Sequence, residues 1–174
     1  YYSQKNGGKP PHRDNVVHID DIDTFAPQTS LGMSAFHLDT CFTPLFPFGH
    51  GLSYAHFVYE GIRVSDAEVP MGSTVTVSAE LSNHGDVEAE EVVQLYTRDL
   101  VGSITRPVKE LKGFRRVRLQ PGETCTVTFE LHTDDLSFCG RDGKRIVEPG
   151  LFHAWIGGTS DAELRTEFRI VDAS

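Results

Sequence analysis

The stretch Thr74-Val75-Thr76-Val77-Ser78-Ala79-Glu80-Leu81 alternates apolar and polar side chains without a break. A period of two places Val75, Val77, Ala79 and Leu81 on one face and Thr74, Thr76, Ser78 and Glu80 on the other, which predicts a strand from Ser73 to Asn83 with one buried and one wet side. Outward from it the same reading recurs. Asn83-His84-Gly85-Asp86 is a turn, since Asn and Gly tolerate positive φ, and Glu91 to Arg98 resumes as a strand with Val93 and Leu95 inward. Val108 to Leu119 follows, then the tight turn Gln120-Pro121-Gly122-Glu123. Thr124 to Leu131 turns Cys125, Val127, Phe129 and Leu131 inward. Thr133-Asp134-Asp135-Leu136 reads as a single helical turn capped by Thr133, and Arg141-Asp142-Gly143-Lys144 as a hairpin turn of the Asp-Gly kind. Glu148-Pro149-Gly150 is a further turn. Leu151 to Gly157 sends Phe152, Ala154 and Ile156 inward and leaves His153 and Trp155 on the outer face; Leu164 to Val171 closes the series, which opens at Phe57 to Val64. About seven short strands at this spacing, with no amphipathic helix between them, predict an all-β, immunoglobulin-like or fibronectin-like sandwich rather than a parallel α/β sheet.

The first 52 residues follow neither period. Gly7, Gly8, Pro10, Pro11, Pro27, Gly32, Pro44 and Pro47 interrupt them, and they carry the acidic group Asp20, Asp21 and Asp23. An irregular segment of this length wraps some further surface more readily than it stands alone. The chain begins at Tyr1 without Met and lacks the charged start and apolar stretch of a signal peptide, so residue 1 is read as an internal point of a longer polypeptide.

With 174 residues, 39% hydrophobic and 24% charged, the chain holds enough apolar material for one core. No apolar run approaches the roughly 18 residues of a membrane helix. A formal net charge of -9 opposes a nucleic-acid backbone or an anionic membrane as partner, because both require a basic face. Cys41, Cys125 and Cys139 are odd in number and far apart, which implies no disulfide framework.

Catalytic chemistry is not legible in the sandwich. There is no Cys-x-x-Cys, His-x-x-x-His or calcium-loop pattern for a metal, and no Gly-x-Ser-x-Gly turn for a nucleophile. The acidic residues fall at turns or outward strand positions. Lys109, Lys112, Arg115, Arg116 and Arg118 read as the solvated side of a strand. An outward Trp155 needs a reason, and two present themselves: packing on a neighbouring domain, or a stacking platform for a sugar ring.

The run Pro44-Leu45-Phe46-Pro47-Phe48-Gly49-His50-Gly51-Leu52-Ser53-Tyr54 closely resembles the linker of the family 3 glycoside hydrolases, the β-glucosidases and β-xylosidases. Val92-Val93-Gln94-Leu95-Tyr96, Arg106-Pro107-Val108-Lys109-Glu110-Leu111-Lys112-Gly113-Phe114, Leu119-Gln120-Pro121-Gly122-Glu123 and Glu148-Pro149-Gly150 follow in the family's order, and Tyr1-Tyr2 with Gly8-Lys9-Pro10 resembles the tail of its preceding domain. The resemblance is to the periplasmic β-glucosidase type. It implies residues 1–55 as the tail of an α/β sandwich domain plus linker, and residues 56–174 as a fibronectin type III-like domain.

The resemblance further implies a retaining enzyme acting on terminal β-linked sugars of oligosaccharides, with no cofactor. Its nucleophile and acid/base lie in a barrel and an α/β sandwich domain, so no catalytic residue is carried over and the chain alone is expected to be inactive. The implied partners are those two domains, a β-linked oligosaccharide and, where the assembly dimerises, a second copy; the implied location is periplasmic or secreted. Phe36, His37 and Asp39 fall where the family places an aromatic, a variable residue and an Asp near the active site, with His37 standing where Tyr is common, and they are the candidate substrate-side residues. Phe48 and Trp155 are the candidate domain-packing or sugar-platform residues. No metal site is implied. The rival reading is a free-standing carbohydrate- or protein-binding module.

Overall fold

The computed structural model describes residues 44–172. The chain divides after Phe48, and the sandwich lies wholly in the unit that starts at Gly49. The described residues build ten strands: β1 (Phe57–Val64), β2 (Glu68–Pro70), β3 (Thr74–Asn83), β4 (Ala89–Asp99), β5 (Glu110–Leu119), β6 (Thr124–His132), β7 (Phe138–Cys139), β8 (Arg145–Ile146), β9 (Gly150–Gly157) and β10 (Arg165–Val171). One sheet has the order β1-β3-β6, the other β2-β10-β9-β4-β5, and β7 and β8 form a separate ribbon. The seven strands read from the sequence are all present, in an all-β fibronectin type III-like sandwich.

The inward faces form one core. Val75, Val77, Ala79 and Leu81 of β3 meet Val127, Phe129 and Leu131 of β6 on one side, and Val93, Leu95, Phe152, Ala154, Ile156, Phe168 and Ile170 on the other. Phe152 and Phe168 are direct cross-strand partners and stack with centroids 5.6 Å apart. Shape and area together hold the sheets; each fully buried Leu, Ile or Phe stabilises the fold by about 1.5–3 kcal/mol over its exposed state.

Several local expectations changed on folding. The short β2 was not read from the sequence: its one buried side chain, Val69, is too little for a period, and it pairs parallel to β10, so the sheet is not purely antiparallel. Ser78, assigned to the wet face of β3, is buried. The turn Thr133–Leu136 is a single 3-10 turn, but its cap is His132, whose Nδ1 accepts from the Asp134 N–H at 3.2 Å. Thr133 is instead fully buried, and its Oγ1 accepts from the Gly72 N–H at 2.8 Å. The turn after β3 uses no positive φ at Asn83 or Gly85. Asn83 is buried there and shapes the turn through its side chain. Cys125 packs against the core but stays half-buried, and burial pushes its thiol up.

Candidate docking surface

The outer face of the larger sheet carries the features that the core does not use. Alternation along β4 sends Val92, Gln94 and Tyr96 outward. Phe114 lies directly opposite Gln94 on β5, Arg116 opposite Val92, and Trp155 opposite Tyr96 on β9. A β-bulge at Lys112 lets Leu111, rather than Lys112, stand opposite Tyr96. The bulge leaves an apolar row on the wet side: Phe114 is 68% exposed, Val92 42% and Leu111 40%.

Trp155 is on this outer face, as its strand parity requires, yet it is only 8% exposed. Lys109 closes it: the Nζ lies 4.7 Å from the ring centroid and donates to the carbonyls of Ser160 and Ala162, at 2.8 Å each. His153 meets the ring edge-on at 5.5 Å, and burial, helped by the Arg165 charge, keeps its imidazole below the ordinary range. The ring is therefore nearly closed within this chain rather than left open on the outer face. This chain covers it, because a lysine nearly fifty positions upstream crosses the sheet, which no local pattern announces. Lys112 is likewise no solvated base. Its Nζ binds Glu110 Oε2 and the Asp135 carbonyl, each at 2.7 Å. Arg116 and Arg118 do face solvent, paired with Glu90, whose carboxyl their guanidinium hydrogen bonds hold below the usual range.

The segment that enters the sandwich is seated at two glycines. Gly49 adopts φ +83°, a conformation L side chains rarely take, and a Cβ there would fall 2.9 Å from both Gln94 Oε1 and the Gly158 carbonyl. Gln94 is fixed beneath it, donating through Nε2 to the Gly158 carbonyl and accepting from the Tyr96 hydroxyl at 2.5 Å. Seven residues on, at His56, the chain meets Gly85, where a Cβ would sit 2.8 Å from the His56 nitrogen, and the His84 N–H donates to the His56 carbonyl at 2.7 Å. Beside the first seat, Glu91 and Tyr59 flank Gly158. Burial pushes the Glu91 carboxyl up, and burial with the nearby Glu91 charge pushes the Tyr59 hydroxyl up.

Phe36, His37 and Asp39 lie outside the described residues. Phe48 is described and exposed, as are Leu45, Leu52 and Tyr54. The structure thus brings Gly49, Gln94, Tyr96, Phe114 and Trp155 to one face, of which the sequence reading had singled out only Trp155. Phe114 shares the outward parity of Arg116 and Arg118, so its direction was legible and was passed over; Leu111 reaches the same face only through the bulge at Lys112. Among the described residues no three His, Cys, Asp or Glu side chains gather as a metal-binding group.

Comparison with known proteins matches residues 91–160 to the fibronectin type III-like domain family. A β-xylosidase of Formosa agariphila is 47% identical over 121 residues, which are 70% of this chain and 17% of that protein. A periplasmic β-glucosidase of Salmonella typhimurium is 33% identical over 171 residues, 98% of this chain and 20% of that protein. The crystal structure of a β-glucosidase from Listeria innocua superposes with a TM-score of 0.77 at 32% identity, covering 100% of this chain and 22% of that one. The chain therefore spans about a fifth of the length of such relatives. The closed Trp155, the seated linker and the sandwich belong to a chain that matches the C-terminal, fibronectin type III-like region of the family 3 glycoside hydrolases, the β-glucosidases and β-xylosidases.

Proposed function

We propose that this chain is the docking domain of a retaining β-glucosidase-like glycoside hydrolase that acts on terminal β-linked sugars, and that it does no chemistry alone. The observation that carries the reading is the exposed row Val92, Phe114 and Leu111, lying beside the seat that fixes the entering segment. An apolar row of this kind, on a chain that spans a fifth of its relatives' length, is matched to a surface supplied by the other four-fifths. The occupant is then the barrel and α/β sandwich domains of the same enzyme. Retaining hydrolysis needs two carboxyl groups about 5 Å apart across the scissile bond, one as nucleophile and one as acid/base; in this reading the other domains supply both. Phe36, His37 and Asp39 belong to the same proposal, as an outer wall for the substrate, and Phe48 as a packing residue. The periplasmic relative supports a periplasmic or secreted location. The closed ring of Trp155 weighs against the rival reading as a free-standing sugar-binding module.

Mass spectrometry of the native preparation, run under denaturing conditions, tests the reading. A larger polypeptide with barrel and α/β domains should copurify with the chain or be continuous with it. The isolated chain should hydrolyse p-nitrophenyl β-glucoside and β-xyloside no faster than buffer. A chain that purifies alone and monodisperse, or that cleaves either glycoside, would sink the proposal.

A further inference from the structure

Past Tyr96 the outer face of β4 ends at Arg98, and there the β4–β5 loop curls over an open cavity of about 630 Å³. Arg98, Arg106 and Arg141 line it, together with the loop backbone, Ser103 and Thr105. Arg106 is already engaged: its Nη2 binds Glu110 Oε1 at 2.5 Å and its guanidinium lies 4.3 Å from the Phe138 ring centroid. Arg98 and Arg141 have neither an ion pair nor a side-chain hydrogen bond among the described residues. The only carboxylate in the lining is Asp99. Its Oδ1 accepts from the Val101 N–H at 3.2 Å and its Oδ2 is buried, and burial keeps the carboxyl above the ordinary range. Glu148 braces the loop from the side by accepting from the Ser103 N–H at 2.8 Å. In a chain of net charge -9, two arginines stand here without an ion-pair partner among the described residues.

We infer that the cavity receives a carboxylate side chain from the protein surface that docks on the outer β4–β5 face, held between Arg98 and Arg141. The inference rests on the docking function proposed above. Three observations select this occupant. Guanidinium groups match a carboxylate in geometry and charge. Arg98, at the rim of the cavity, has the same outward parity on β4 as Val92, and Leu111 and Phe114 stand on that face of the neighbouring β5, so a surface laid along the face ends at the cavity. No aromatic ring lines it, whereas an acidic sugar would want a stacking platform beside the charge. The carboxylate fixes the register of a surface that apolar contact alone would leave free to slide.

Nuclear magnetic resonance titration of the ¹⁵N-labelled 174-residue chain with glutarate tests this, with glucuronate as the comparison. Glutarate should shift the amides of residues 100–105 saturably, and Arg98→Ala and Arg141→Ala should each weaken the apparent affinity about tenfold. Arg141 sits in an exposed turn, so its substitution leaves the fold intact even if that of Arg98 does not. No saturable shift, or a shift that survives both substitutions, overturns the inference. Glucuronate binding more than about tenfold tighter than glutarate overturns the protein partner in favour of an acidic sugar. The two readings fail separately. A copurifying catalytic polypeptide with no glutarate response leaves the docking function standing without the cavity; a glutarate response in a chain that never meets a partner removes the docking function and makes the cavity a plain anion site.

Discussion

Asn83 shows how one polar side chain organises an end of the sandwich. It is fully buried; its Nδ2 donates to the Val87 carbonyl at 2.8 Å and to the Leu119 carbonyl at 3.2 Å, and its Oδ1 accepts from the Gly85 N–H at 2.9 Å. Its backbone ties the β5–β6 turn as well, donating to the Glu123 carbonyl and accepting from Gly122. Asn83→Ala leaves several backbone groups unpaired in a closed site and should cost about 3 kcal/mol in urea unfolding. Glu91 is the opposite case, a carboxyl whose ionised form the site disfavours. Its folded value lies above the ordinary one of about 4.3, so the folded state holds the proton more tightly than the unfolded chain. That contribution is complete below the unfolded value and disappears as pH rises through the folded one. Glu91→Gln keeps an oxygen for the Val92 N–H, which Glu91 Oε1 accepts from at 2.8 Å. The variant should therefore gain stability over the parent between pH 5 and pH 8, with little difference at pH 4. Equal unfolding midpoints for the two proteins at all three pH values would contradict this account.

At the scale of elements, the entering segment and the strands have separable stabilities. The segment is held by Gly49 on Gln94 and by His56 on the turn after β3, whereas β3 and β6 are held by the core. Gly49→Ala adds strain at positive φ and a clash with the Gln94 amide. Protease cleavage within residues 44–55 should quicken several-fold, with the global melting temperature nearly unchanged, since local opening and global unfolding draw on different contacts. The core behaves differently. Leu81 is fully buried between the sheets, and Leu81→Ala should lower the unfolding free energy by about 3–5 kcal/mol in urea titration.

For the whole molecule the question is which surface is finished and which is not. Trp155 is finished, roofed by Lys109, whose ammonium the carbonyls of Ser160 and Ala162 hold in place. The row of Val92, Phe114 and Leu111 is open. Phe114→Glu should change stability by no more than about 0.5 kcal/mol, because an exposed side chain has little packing to lose. If the docking function proposed above holds, it should nevertheless abolish copurification with the larger polypeptide that function requires, read by size-exclusion chromatography. A loss of stability instead would show Phe114 to be part of this domain's own packing.

The sequence by itself determined the strands, because alternation is a local property: Val75 to Leu81, Val127 to Leu131 and Phe152 to Ile156 declare their inward faces within a few residues each. It also carried the family, through the linker run from Pro44 to Tyr54 and the runs that follow it in order. Only the tertiary structure decided the outer face. Parity placed Trp155 outward, but its burial depends on Lys109, which is distant in sequence and meets the ring across the sheet. Leu111 joins that face through a bulge at the neighbouring Lys112, which breaks the period used to read the strand. Asn83 looked like a turn former and proved to be a buried junction, since its partners at Leu119 and Glu123 come from another strand and another turn. Side-chain direction along a strand is set by the backbone pleat and is therefore local; what covers a side chain is set by chain segments that meet only after folding.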